Sequence, residues 1–314
     1  MEKDEGESKV IITATSLENL RTMVRGEFGD QLAAIMPKAL YTLVATDVPS
    51  TSSSNTYGWL EKFPKIRQWV GARVIKDMKE KGYALPNELY EATLGVARTD
   101  IEDDNIGVYR TLSRAQADEV VAFMNRKVFG LLSAGFATLC FDGQNFFDTD
   151  HPVYPNEDGT GTAANVSNIQ GDAAATGTPW FLLSLNGSLK PLIRQTRNPP
   201  ELEAKMDTSN DHVFTYDEYL YGIRYRGAFG YGFWQQAVAC KEALSAANYE
   251  AARLKMQTFT RDGGDQLGVV PTHLVVGPSG EAAGRALLES LALANGASNP
   301  NYHTAELIVS PWLA

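Results

Sequence analysis

Cysteine is nearly absent: in 314 residues only Cys140 and Cys240 carry a thiol. They lie far apart and in neither a metal-binding nor a redox spacing, which excludes a disulfide framework, and both read as buried free thiols. An excess of basic residues is missing as well. The formal net charge is −10, against a surface that works by neutralising phosphates, because that device needs clustered Lys and Arg. A wall that encloses DNA without gripping it is compatible with this charge. Long hydrophobic runs are the third absence. The longest uncharged apolar-rich stretch, residues 128–141 between Lys127 and Asp142, is shorter than the roughly 20 residues of a membrane span. The first residues, MEKDEGESKV, lack the basic-then-apolar layout of a secretory signal, so a soluble protein made in a cytoplasm is expected. What is present, 44% hydrophobic and 21% charged residues, is the composition of a folded chain with one large core or two.

The strongest pattern is SRAQADEVVAFMNRKVFGLLSAGFAT, which predicts a helix over Ser113–Thr138. Ser113 and Gln116 form a capping box. Ala117, Val120, Val121, Met124, Val128, Leu131 and Leu132 recur at helical spacing, with Arg114, Asp118, Glu119, Asn125 and Arg126 on a wet face. An acidic lead-in, DIEDDNIGVY, and an aromatic exit, CFDGQNFFDTDHPVYP, flank it.

Before this helix, residues 1–15 read as an arm. Ser16 is placed to cap a short helix with Leu17, Leu20, Val24 and Phe28 on one side, interrupted at Gly26 and Gly29, and a second short helix runs from Asp30 to Ala39. Pro49–Thr56 reads as a flexible link. From Tyr57 to Thr99 the chain is strand-like on both sides of the charged tip Lys76–Lys81, and Tyr90, Leu94 and Val96 share one face of the return strand. A two-stranded ribbon is at best marginal alone, so this one needs a core elsewhere, in its own domain or on another subunit.

Beyond the helix, residues 156–179 predict a long exposed loop. Trp180–Leu185, Asn186-Gly187 and Ser188–Arg194 predict a hairpin. A strand over Tyr219–Tyr225 leads into RGAFGYGFW, whose glycines fit a bent strand or close backbone packing rather than a dinucleotide fingerprint. Leu244–Met256 reads as a helix broken at RDGGD, Leu274–Val276 as a buried strand, Ser279 as the cap of a following helix, and Glu306–Val309 as a strand. The class is α+β with at least two lobes divided near residues 156–179.

Catalytic constellations are few. Asp142, Asp148, Asp150 and His151 fall close together, in a spacing that matches neither a calcium loop nor a zinc motif, and they read as a packed turn with no metal. Glu102, Asp103 and Asp104 read as an acidic surface or an inter-subunit salt bridge rather than a cation site. Ser279 lacks the second glycine of a nucleophile elbow, and His212, His273 and His303 have no partner at catalytic spacing. No cofactor is implied.

Taken together, YGWLEKFPKIRQWVGARV at 57–74, RTDIEDDNIGVY at 98–109, the helix, DGQNFFDTDHP at 142–152, KPLIRQTRNPP at 190–200 and YGIRYRGAFGYGFWQQA at 221–237 resemble the major head subunit of Mu-like phages and prophages. The resemblance implies an HK97-type capsid fold: an N-terminal arm, an extended E-loop, a P-domain on a long spine helix and an A-domain. It allots 1–56 to the arm and short helices, 57–99 to the E-loop, 100–243 to the P-domain and 244–314 to the A-domain. In that family order the A-domain strand and helix come soon after the spine helix, whereas here the Asn-Gly hairpin intervenes, which predicts a rearranged connectivity.

The implied function is non-enzymatic. Copies of the chain would form hexamers and pentamers of an icosahedral shell around double-stranded DNA, assembled in the host cytoplasm with portal, scaffold or protease and decoration proteins. Trp59, Trp69, Arg73 and Tyr83, the tip residues Lys76, Asp77, Lys79, Glu80 and Lys81, and Glu102, Asp103 and Asp104 are the expected subunit contacts. The alternatives are an encapsulin-like compartment of the same fold and a cation-dependent hydrolase using Asp142, Asp148, Asp150 and His151.

Overall fold

The computed structural model describes residues 14–58, 60, 82–99, 106–205 and 211–313. Helix α1 (Ala14–Ile35) leads through a tight turn at Met36–Lys38 to α2 (Tyr41–Val44), β1 (Ala45–Pro49) and β2 (Ser54–Thr56). Next in order are β3 (Ala84–Pro86), β4 (Glu88–Ala97) and the long helix α3 (Ile106–Ala134). Then follow β5 (His151–Val153), β6 (Ala164–Val166), β7 (Ile169–Gln170), β8 (Trp180–Leu183) and β9 (Leu192–Lys205). The last part holds α4 (Asp211–Tyr216), β10 (Glu218–Tyr231), β11 (Ala237–Cys240), α5 (Ala246–Gln257), β12 (His273–Val276), α6 (Glu281–Leu288) and β13 (Glu306–Val309). The class is α+β, as expected. No helix among the described residues is long and apolar enough to cross a membrane.

The residues divide into two compact units, one drawn from Met1–Ala39, Asn87–Met124 and Thr196–Gly227, the other from Leu40–Pro86, Asn125–Gln195 and Ala228–Ala314. The units interleave along the chain, so the division expected near 156–179 is not where the chain separates; that stretch lies wholly in the second unit.

In the first unit, α1 is one continuous helix rather than two. Leu17, Leu20, Val24, Phe28 and Leu32 are all buried on one stripe. Gly26 and Gly29 face open space, so each costs helix propensity without breaking the packed face. Glu27 of α1 pairs with Arg110 at 2.9 Å and Arg114 at 2.7 Å, and Gln31 donates to Asp118 at 2.8 Å, fastening α1 to the first half of α3. The predicted start of α3 was therefore late. Ser113 is a buried residue inside the helix, its hydroxyl donating to the Tyr109 carbonyl at 2.7 Å instead of capping. Burial of Tyr109 and the Glu27 contacts extend the helix about two turns beyond its local signal. Strand β4 pairs antiparallel with β10, from Glu218 opposite Ala97 to Gly227 opposite Glu88. Tyr90 stacks on its cross-strand partner Tyr225 at 5.8 Å and meets Phe123 of α3 edge-on at 4.9 Å.

The second unit holds a five-stranded sheet in the order β13-β12-β8-β11-β7, parallel at its two outer pairs and antiparallel at its two inner ones. Every residue of β8 and β11 is buried. Helix α5 packs on β11 and β7, and α6 on β12 and β13. The Ser245 hydroxyl accepts from the Asn248 amide and caps α5. Ser279 does not act as predicted: it lies in a tight turn before α6, and neither helical start there has a side-chain cap. Gly277 is needed at that turn, since a Cβ would lie 1.8 Å from the Leu313 carbonyl oxygen.

Two further expectations fail for one reason. Leu182 and Phe181 pair with β11 and β12, so the Asn186-Gly187 hairpin does not form; β9 belongs to another sheet, ordered β1-β9-β10-β4. Pairing across long sequence separations outcompeted the local turn signal. The expected rearranged connectivity rested on that hairpin. In fact β8, soon after the long helix in sequence, already shares a sheet with β12. Residues 156–179 are likewise not all exposed, because β6 pairs with β5 and Asn168 is fully buried, donating to the Phe146 carbonyl at 2.8 Å.

Candidate functional site

The ribbon is fastened at its base. Strands β2 and β3 pair antiparallel, Ser54 opposite Pro86 through Thr56 opposite Ala84, so Pro49–Thr56 is a structured edge rather than a free link. Asn55 helps to hold it, accepting from the Ser50 hydroxyl at 2.8 Å and donating to the Pro49 carbonyl at 3.1 Å. Tyr57, Leu60, Leu85, Ile193 and Ala228 form a small core beneath, with Val48, Tyr83, Phe141 and Phe233 packed against it. The Tyr57 hydroxyl donates to the Gln195 side chain at 2.7 Å, and Gln195 donates to the Leu85 carbonyl at 3.1 Å. Gly230 permits this close fit, since a Cβ there would meet Leu85 at 2.6 Å and the Tyr83 hydroxyl at 2.8 Å.

Tyr83 is tied into its own protomer. Its carbonyl accepts from the Tyr57 amide at 2.7 Å, its hydroxyl accepts from the Tyr231 amide at 3.2 Å, and burial pushes its pKa up to about 12. Trp59, Trp69, Arg73, Lys76, Asp77, Lys79, Glu80, Lys81, Glu102, Asp103 and Asp104 lie outside the described residues. The base residues Tyr57, Leu60, Leu85 and Gln195 escaped sequence reasoning because the side chain that ties them together, Gln195, lies more than a hundred positions from Tyr57 and Leu85 in the chain.

The turn after α3 gathers a different set from the one expected. Asp142 accepts from His151 Nδ1 at 2.7 Å, from the Cys140 thiol at 3.1 Å and from the Gln144 amide at 3.1 Å. Burial raises its pKa, but these hydrogen bonds, that of His151 first, hold it below the usual carboxylate range. Asp148 points elsewhere, to the amides of Asn145 and Thr149, and Asp150 is hydrogen-bonded to Asp148 rather than joining the cluster. The carboxylate sits between thiol and imidazole, and burial followed by Asp142 pushes the Cys140 thiol far up, so the thiol stays protonated. That order is wrong for an activated nucleophile, which needs the base next to it. A recess of about 330 Å³ lined by Ser133, Phe136, Thr178, Pro179, Lys241 and Leu313 includes none of the three.

A long helix, a ribbon fastened at its base and a compact sheet flanked by helices define the class: an HK97-type phage capsid protein. The comparisons are specific. The model of the family described as the Mu-like prophage major head subunit gpT matches residues 17–313. The major capsid protein of Escherichia phage Mu is 42% identical over 307 residues, 97% of this chain and 100% of that protein. The Mu-like prophage FluMu major head subunit of Haemophilus influenzae is 43% identical over 251 residues, 79% of this chain and 81% of that one. Among solved structures, a chain of the bacteriophage JBD30 procapsid has a TM-score of 0.86 at 47% identity, covering 96% of this chain and 100% of its own. A chain of the JBD30 capsid has a TM-score of 0.75 at 33% identity, covering 97% and 100%. The chain belongs to the Mu-like major head subunit family and is a structural component of a phage head. These relatives are shell subunits of phages, which disfavours the compartment reading, and their role is not enzymatic, which removes the hydrolase.

Proposed function

We propose that copies of this chain close an icosahedral shell of hexamers and pentamers around double-stranded DNA, with the ribbon at 57–99 as the E-loop that reaches a neighbouring subunit. The observation carrying this reading is the ribbon's base. Its described pair, β2 with β3, is three residues long on each side and locked to a core of the same protomer. A ribbon this short in pairing gains little by itself, so the residues beyond gain their burial on another copy. Trp59, Trp69 and Arg73 are the anchors expected there, with Lys76, Asp77, Lys79, Glu80 and Lys81 as a polar tip. Glu102, Asp103 and Asp104 supply an acidic strip for inter-subunit pairing. Helix α3 serves as the spine helix of the P-domain, and the five-stranded sheet with α5 and α6 as the A-domain.

A related JBD30 capsid chain, 34% identical with a TM-score of 0.71, comes from a particle decorated with minor capsid protein trimers. Decoration of the same kind, and assembly with portal and scaffold or protease proteins in the host cytoplasm, belong to this reading. The net charge of −10 suits a wall that repels packed DNA rather than gripping it. Sedimentation followed by negative-stain electron microscopy tests it, comparing the native chain with a Trp69→Ala, Arg73→Ala double variant co-expressed with the neighbouring head genes. Closed shells from the native chain and none from the variant are expected. Shells of equal yield from both would remove the ribbon from the interface.

A further inference from the structure

We propose that Cys140, Asp142 and His151 form a binding site for one zinc ion, which clamps the turn between α3 and β5. The three offer one sulfur, one oxygen and one nitrogen, all within 4.8 Å of one another. This is the mixed donor set that zinc accepts, and softer or harder ions fit less well. Cys140 and His151 are buried, and the Asp142 side chain is 10% exposed, which leaves one side open for entry and for a water ligand.

Charge provides the second argument. Asp142, Asp148 and Asp150 crowd this turn, and none of them has a Lys or Arg partner among the described residues. Asp142 is held by two neutral donors and a histidine. A bound metal would supply the positive charge that no Lys or Arg among the described residues supplies here. Zinc entry replaces the thiol proton, and the imidazole would bind through Nδ1, the nitrogen that faces Asp142. With thiolate, carboxylate and neutral imidazole as ligands, the occupied site carries no net charge. His151 Nε2 is buried with no hydrogen-bond partner. The ring stays in place meanwhile, stacked on Trp234 with centroids 4.0 Å apart.

The geometry needs a local rearrangement of three side chains. Tetrahedral zinc with bonds of about 2.0 to 2.3 Å sets its ligand atoms roughly 3.3–3.5 Å apart. The present separations run to different carboxylate oxygens, 2.7 Å from His151 Nδ1 to Asp142 Oδ2 and 3.1 Å from the Cys140 sulfur to Oδ1, with one donor atom per residue within 4.8 Å of the others, so side-chain rotation has to bring the three onto one centre.

The test is titration of the full chain, stripped with chelator, with Co²⁺ and then Zn²⁺. One equivalent of cobalt should produce a thiolate-to-cobalt charge-transfer band, which zinc abolishes, with protons released on binding. Cys140→Ser and His151→Gln should weaken binding by about 100-fold or more, while Cys240→Ser should leave it unchanged. Absence of stoichiometric uptake by the native chain overturns the site without reference to any variant. A band that survives Cys140→Ser and disappears in Cys240→Ser overturns it equally.

Discussion

A single hydroxyl shows how the ribbon is held. Tyr57 is 2% exposed and its Oη reaches Gln195, itself fully buried, across most of the chain's first two-thirds. Tyr57→Phe keeps the ring in the small core and removes only the donor. Because it also leaves the Gln195 oxygen without that donor in a place water does not reach, the loss should be about 1–2 kcal/mol. A lower denaturant midpoint with an unchanged slope would show it; an unchanged midpoint would mean that the hydroxyl contributes nothing at the base. Buried tyrosines recur around the same region, and burial pushes the pKa of Tyr57 up to about 12. This behaviour was not readable from the local sequence YGWLEKFP, which offers an aromatic residue but not its distant amide.

At the scale of elements, the pairing of β12 with β13 contains a pH-sensitive contact. His273 lies opposite Glu306, with Nε2 and the carboxylate 3.3 Å apart. Burial lowers the pKa of His273, and Glu306 only partly opposes this. The Glu306 side chain is 84% exposed, so solvent screens its field and burial prevails. The sign follows. Above the unfolded value of about 6.5, both states are neutral and stability is full. As pH falls below it, the unfolded chain takes up a proton that the folded chain resists, and stability drops until the lowered folded pKa is passed. Thermal melts at pH 7.5 and 5.5 should therefore show a smaller acid loss for His273→Gln than for the native chain. Equal losses would place the acid sensitivity elsewhere. Elements also differ in how well their own residues announce them. Strand β13 and helix α5 appeared where their patterns put them, whereas α3 started earlier because Glu27 and Arg110 meet from different helices.

For the whole molecule, the ribbon's two roles separate. Its base belongs to the protomer's core, and its distal part is proposed to serve assembly. A Cβ on Gly82 would sit 2.7 Å from the Gly58 Cα, so the two sides of the base touch and a short Gly-Ser link can join Leu60 to Gly82. A chain shortened in this way should keep its fold, melting within about 4 °C of the native protein, as expected when less than about 1 kcal/mol is lost. It should sediment as subunits under conditions in which the native chain forms shells. Loss of the fold would show that residues 61–81 stabilise the protomer itself.

By itself, the sequence determined the class of the protein. Its acidic charge argued against a nucleic-acid grip, its sparse cysteine against a disulfide scaffold and its lack of long apolar runs against a membrane-spanning helix, and its motifs placed it among Mu-like head subunits. It also determined most helices and the strands of strongest local pattern, because hydrophobic periodicity is a property of neighbouring residues. Tertiary structure alone decided the rest: the continuity of α1 across Gly26 and Gly29, the interleaving of the two units, the transfer of β8 out of its apparent hairpin, and the meeting of Cys140 with Asp142 and His151. The first three depend on contacts between residues far apart in the chain, whose energy exceeds a local turn or cap preference and leaves no mark in either neighbourhood; the last depends on how the turn after α3 folds.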